Sequence, residues 1–516
     1  MSQQAETTET TAGAQPTAST GPAASTEPAP KTFASLDPRD GTVLAEYPIQ
    51  GEREVRAAVD AARSAAQWWN ALGFDGRKQW LLDWKKSMAR DGEQLAALVA
   101  AETGKPYDDA LLEVMLAIEH LDWAAKNAGK VLKRRKVPSG LVSANQASSV
   151  GYEPMGVVGV IGPWNYPVYT PMGSISYALA AGNTVVFKPS ELTPGVAVWL
   201  ADKWKALIPN QPVLQVITGD GSTGSALVSA GVDKIAFTGS AATGKRVMAA
   251  CAETLTPLVV EAGGKDAMLV DADANLDEAA GFAVFGAMGN AGQTCAGVER
   301  IYVVDSVYDE FVRLLAEKSK VLRPGPRDAA YGPMTMTSQS DVIRSHVRDA
   351  LDKGGSAVVG GLDSIADGYV GPIVLTGVPE DSTAIREETF GPTVVVNKVA
   401  SLDEAVAKAN GTTFGLGASI FSKDATKAMQ AAEKLRAGVV TIGSVLGFAG
   451  VPSLPFGGVG DSGFGRIHGA DGLREFSRVK SIARQKFAAP LNLLTMQRKS
   501  RDMKISAWML KNRHGR

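Results

Sequence analysis

Cysteine, histidine and net charge are all scarce in this chain. Two cysteines among 516 residues cannot build a disulfide framework, and their rarity points to a reducing compartment, with the cytoplasm as the expected location. The four histidines, His120, His346, His468 and His514, are dispersed along the sequence, so neither a metal site nor a Cys–His dyad is expected, and His468 reads as structural. Lys plus Arg number 53 against 54 Asp plus Glu, which leaves no overall field to draw nucleic acid. No apolar run reaches the roughly 20 residues that a membrane-spanning helix needs.

What is present is a soluble composition too long for one ordinary core. Residues 1–31, rich in Thr, Ala, Pro, Ser and Glu, lack both the basic start and the apolar stretch of a targeting segment and read as a disordered tail. In 52–69, Val55, Val59, Ala62, Ala66 and Trp69 recur at three- and four-residue spacing, which predicts a helix packed on a core. After about residue 130 the rhythm changes. Short apolar runs at 156–161, 183–187, 213–217, 234–237 and 258–261 alternate with Ala-rich helical stretches, the pattern of a parallel sheet covered on both faces. A second α/β region with the same alternation runs from about 263 to 472.

The far end differs. Seven Lys or Arg residues and one Asp lie between Arg498 and Arg516, interleaved with Met503, Ile505, Trp508, Met509 and Leu510. That composition suits an anionic membrane surface. The apolar residues fall on opposite sides of a helical wheel, however, so a solvated basic tail or a subunit contact over 488–516 is the competing reading.

Open parallel sheets bind ligands beyond the carboxyl ends of their strands, and the segments there are distinctive: "GPWNYP" (162–167), "KPSE" (188–191), "TGDGSTG" (218–224), "TGS" (238–240) and "AGGK" (262–265). The glycines of "GDGSTG", Gly221 among them, match a dinucleotide fingerprint in form. No acidic residue ends the next strand, so a plain turn and a loop that brushes a cofactor stay open beside a full Rossmann grip. Ser240 fits the N-terminus of a helix, where unpaired N–H groups favour a phosphate. Of the cysteines, Cys251 sits in an Ala-rich helix with no motif and reads as packing, whereas Cys295 lies in "GQTC".

Taken together and in order, "PWNYP", "KPSE", "FTGS", "E-x-GGK", "GQTC", "E-x-FGP" and "PFGG" resemble the aldehyde dehydrogenase superfamily over roughly residues 32–487, with Glu261 and Cys295 34 positions apart. Ala262 stands where the family usually has Leu, and "PFGGVGDSGFGRIHG" resembles the class 3-like branch. The resemblance implies an aldehyde dehydrogenase-like α/β fold. A Rossmann-type cofactor domain takes 32–130 and 154–262, a catalytic domain 263–472, and oligomerisation strands 131–153 and 473–487. It implies a hydrolytic, NAD(P)-dependent oxidation of an aldehyde to the acid. Cys295 would be the nucleophile, Asn165 an oxyanion donor and Glu261 the general base. Lys188, Glu191, Gly221, Ser240, Glu388, Phe390 and Trp164 would surround the cofactor, with no metal. A carboxylate at Glu191 accepts hydrogen bonds from a free ribose but repels a 2′-phosphate, favouring NAD with NADP as the alternative.

The stretches expected to line the substrate tunnel, 166–173, 285–297 and 445–454, hold no Lys or Arg. An apolar aliphatic or aromatic aldehyde is therefore expected, with succinic semialdehyde as the rival and a catalytically silent scaffold as the distant alternative. A homodimer or dimer of dimers is the expected assembly.

Overall fold

The short β-branched runs have no helical period, and their residues are apolar on both faces, so they pair into sheets with nothing but protein above and below. In the computed structural model, residues 31–515 are described apart from 141, 142, 327, 328, 367, 490 and 492. The tail assigned to 1–31 therefore lies outside the described residues, Lys31 excepted.

The first sheet has six strands in the order Gly463–Phe464, Leu258–Glu261, Lys234–Thr238, Val157–Ile161, Thr184–Lys188, Leu214–Val216. Its pairings are parallel except that of Gly463–Phe464 with Leu258–Glu261. The chain starts at the central strand Val157–Ile161, builds outward on one side, then returns to build on the other. The carboxyl ends of Val157–Ile161 and Lys234–Thr238 thus flank the point where strand order reverses, the usual ligand crevice of such sheets. Gly463–Phe464, which the sequence places with the second region, is an edge strand of this first sheet.

The second sheet runs Ser356–Val359, Ile373–Thr376, Thr393–Val399, Val298–Val304, Asp266–Val270, Gly417–Phe421, Val439–Ile442. Only its first pairing is antiparallel. Helix Tyr169–Ala181 is buried over all but its first residue, as expected of a helix that is apolar all round. It packs in the largest core beside Trp69, Trp84 and Trp204, whose rings meet edge to face at 5.6 and 5.0 Å.

Helix Glu52–Ala71 forms as expected but buries Val55, Val59, Ala62, Ala65 and Trp69, so Ala65 replaces Ala66 in the covered stripe. Its first half packs in one core with Val157 and Ile235, and its second half, from Ala65, in another with Trp84 and Leu179. The buried stripe turns with the change of partner. Cys251 is buried in the first of these cores.

Strands Arg135–Val137, Gln146–Pro154 and Ser477–Gln485 make a separate antiparallel sheet. Ser477–Gln485 lies at its edge, exposed at every position after Ser477. Residues Ser500–His514 are helical, with Trp508 67% and Leu510 65% exposed. Among the described residues no helix is long and apolar enough to cross a membrane.

Candidate active site

Strand ends and the loops after them enclose a cavity of about 510 Å³. Cys295, Glu261, Asn165, Trp164, Ser240, Glu388 and Phe390 all line it, so folding gathers seven of the ten expected site residues around one space.

Cys295 precedes strand Val298–Val304 and follows a sharp turn. Asn290, Ala291 and Gly292 take left-handed backbone angles in succession, φ 53°, 55° and 71°. Asparagine and glycine accept that region readily, whereas alanine is strained there, and the turn presents the thiol half-buried toward the cavity. Burial pushes the thiol up to about 12, reinforced by the carboxyl groups of Glu261, Asp266 and Glu388.

Glu261 ends strand Leu258–Glu261 and is only 4% exposed. Its Oε1 has no hydrogen-bond partner among the described residues. Burial raises its carboxyl to about 8, opposed in part by Arg466. A buried, unpartnered carboxyl with its proton affinity near neutrality is what a general base needs.

Asn165 follows strand Val157–Ile161. Its side-chain Nδ2 donates to the Gln293 carbonyl at 2.9 Å, two residues before Cys295. Amide Nδ2 carries two hydrogens, so one N–H is left for a ligand in the cavity. Tyr166 hydroxyl and Thr294 hydroxyl, 2.9 Å apart, join the same two loops.

Glu388 is held by the Gly264 N–H, which donates to its Oε1 at 3.3 Å, and burial raises its carboxyl to about 8. A Cβ on Gly263 would stand 1.8 Å from that oxygen, so only glycine admits the carboxylate there. Phe390, at φ 50°, meets Trp164 edge to face at 5.7 Å. The loop carrying both is fixed by Glu299, whose carboxylate accepts from Thr389 N–H at 2.9 Å and Phe390 N–H at 3.0 Å. Glu299 is in turn ion-paired with buried Lys265.

The other three expected residues lie beyond the cavity, at the ends of neighbouring strands. Lys188 ends Thr184–Lys188 and pairs with Glu191 at 3.3 Å. Gly221 opens helix Gly221–Ser229, whose N-cap Asp220 accepts from Ser222 N–H and feels the charge of Lys188. Nothing stands within 4 Å of where a Cβ on Gly221 would be. Ser240 caps helix Ala241–Ala252 by accepting from Thr243 N–H. An orphaned carboxyl, a capped helix start on the cavity wall, a carboxylate in the crevice and an open glycine turn fit a long, polar, anionic dinucleotide laid across the strand ends.

Sequence reasoning missed Lys105, Glu113, Glu299 and the role of Lys265, because each works by holding a loop whose position exists only after folding. It also treats the histidines as scattered. His120 and His468, 348 positions apart, meet with ring centroids 3.8 Å apart and planes tilted by 45°, and burial lowers the proton affinity of both.

Such a fold and site fit an α/β enzyme that takes a dinucleotide across its strand ends. The sequence profile of the Aldehyde dehydrogenase family matches residues 25–482, and the chain belongs to that family, as an enzyme that oxidises aldehydes. It is 38% identical over 450 residues, 86% of this chain and 84% of the relative, to a 4,4'-diapolycopene aldehyde oxidase of Methylomonas sp. It is 34% identical, covering 86% of each chain, to a putative succinate-semialdehyde dehydrogenase [NADP(+)] 2 of Mycobacterium ulcerans. Among solved structures, an NAD-dependent aldehyde dehydrogenase from Sinorhizobium meliloti superposes with a TM-score of 0.85 at 33% identity, covering 90% of this chain and 93% of that one.

Proposed function

We propose that the chain oxidises an apolar aliphatic or aromatic aldehyde to its carboxylic acid, with Cys295 as nucleophile, Asn165 as oxyanion donor and Glu261 as general base. The observation that carries this reading is the convergence of a half-buried thiol, a carboxamide with a spare N–H and an unpartnered carboxyl on one cavity. Attack on the carbonyl by the Cys295 sulfur, whose proton passes to solvent water, creates a tetrahedral carbon bearing an oxyanion. Asn165 Nδ2 and the Cys295 backbone N–H are the donors for that charge, and one such donor lowers the barrier by about 3 kcal/mol. A nicotinamide bound here would accept the hydride that leaves this carbon, so that the adduct becomes a Cys295 thioester. Glu261 then takes a proton from the water that cleaves the Cys295 thioester, releasing the acid and the free thiol.

The cavity wall supports this substrate class. Leu112, Leu116, Phe285, Leu446, Phe448 and Phe456 line the cavity, and among the described residues Lys105 is its one basic side chain. The Lys105 ammonium is already spent on Glu113 and the Asn165 carbonyl. A distal carboxylate would therefore find no cation, which disfavours succinic semialdehyde and agrees with the apolar aldehyde in the name of the Methylomonas relative. Glu191, half exposed beside Lys188, supports NAD as the preferred cofactor. Initial rates for hexanal, benzaldehyde and succinic semialdehyde with NAD and NADP test both points. Higher kcat/KM for the first two aldehydes, and for NAD, is expected; preference for the semialdehyde refutes the substrate assignment. Cys295→Ala is expected to abolish oxidation while retaining NAD binding by fluorescence titration.

A further inference from the structure

The loop carrying Asn165 is gripped from behind by two charges that the chemistry above leaves without a task. Lys105, just before helix Tyr107–Leu132, and Glu113, within it, form a 2.7 Å ion pair with both side chains 0% exposed. Lys105 Nζ also donates to the backbone carbonyl of Asn165 at 2.7 Å and stands 4.1 Å from the Tyr166 ring centroid. Glu113 Oε1 accepts from Val168 N–H at 2.7 Å and Tyr169 N–H at 3.1 Å. From 165 to 169, every residue but Pro167 touches the pair.

Burying two charges costs several kcal/mol per ion before their attraction is counted, and well-packed apolar residues often fill such a site with equal or greater stability. An apolar pair could not, however, fix a carbonyl and two amide N–H groups at once. We propose that Lys105 and Glu113 are positioning residues for the reaction, holding the 165–169 loop so that the Asn165 carboxamide stays aimed at the carbon that Cys295 attacks. The proposal rests on the reading of Asn165 as oxyanion donor. Both residues border the cavity, but their polar atoms are committed to each other and to that loop, through which they act.

A double-mutant cycle on the full chain separates this role from simple stabilisation. Glu113→Gln keeps an acceptor oxygen for the two amides and removes the charge. The readout is the rate constant of the first NADH burst with hexanal and NAD, beside the KM for NAD and the thermal midpoint. In the wild-type background Glu113→Gln is expected to slow the burst about ten- to a hundred-fold, the scale of a displaced catalytic group, with KM for NAD unchanged. In an Asn165→Ala background the same substitution is expected to cost less than about two-fold, because the group it positions is gone. Losses that multiply in full, or a Glu113→Gln burst at the wild-type rate, overturn the proposal. A wild-type burst in Asn165→Ala alone overturns the oxyanion reading instead. Should Glu113→Gln fail to fold, Lys105→Met/Glu113→Leu replaces both charges with apolar volume, and the same non-additivity with Asn165→Ala decides the matter.

Discussion

Cys295 stands among carboxyl groups that oppose its ionisation, and the nearest in role, Glu261, is itself held to about 8 by burial. A base must be ionised to accept a proton, so turnover limited by thioester hydrolysis should climb as pH rises through about 8. Glu261→Gln is expected to keep the first NADH burst, to slow later turnovers by about 10² or more, and to remove that ascending limb from the kcat–pH profile. The same group bears on stability with a definite sign. Its folded proton affinity lies above the unfolded value of 4.5, so its contribution is present below that value and is lost as pH climbs toward 8. Glu388, raised to the same level, adds in the same direction. Thermal midpoints of Glu261→Gln measured at pH 5 and pH 8.5 should therefore show the larger gain over wild type at pH 8.5. Cys295, Glu261 and Asn165 were legible in the sequence because each sits in a motif of fixed spacing. Lys105 and Glu113 were not, since their partners are main-chain atoms some 50–60 positions away, and nothing local to either residue marks that contact.

At the level of elements, the turn before Cys295 and the loop after Glu388 come within backbone contact. A Cβ on Gly292 would lie 2.0 Å from the Gly391 carbonyl oxygen, at a φ of 71° that side chains resist. Gly292→Ala is expected to destabilise the fold by about 2 kcal/mol or more and to disturb both loops at once. Denaturant unfolding would check the first effect, and a joint loss in burst rate and in NAD affinity the second. In the second sheet only Gly417–Phe421 and Val439–Ile442 stood out, whereas five strands of the first sheet were readable from β-branched runs and the segments that end them. Gly463–Phe464 was not, because two residues carry no period and their pairing with Leu258–Glu261 is decided by the glycine-rich chain around them. Helix Glu52–Ala71 makes a related point: a wheel places Ala66 inward, but the helix passes from one core to another, and Ala65 is the residue that the second core covers.

For the whole molecule, the exposed edge Ser477–Gln485 is a template for another chain, with Val479 62% and Ile482 44% exposed. The homodimer or dimer of dimers expected from the sequence would use this edge. Val479→Glu/Ile482→Glu should shift sedimentation toward a smaller species, and an unchanged species would count against this strand as the interface. Deleting residues 488–516 addresses the basic end separately: recovery from anionic liposomes that falls with the deletion supports lipid contact, and equal recovery in the supernatant removes it.

The pairing of Gly463 with Glu261 has a mechanical meaning. The chain departs from the first sheet at Glu261 and comes back to it at Gly463, so both crossings to the second sheet are stitched together at one place. The general base proposed for hydrolysis therefore lies where the outgoing and returning passages of the chain are tied together by backbone pairing.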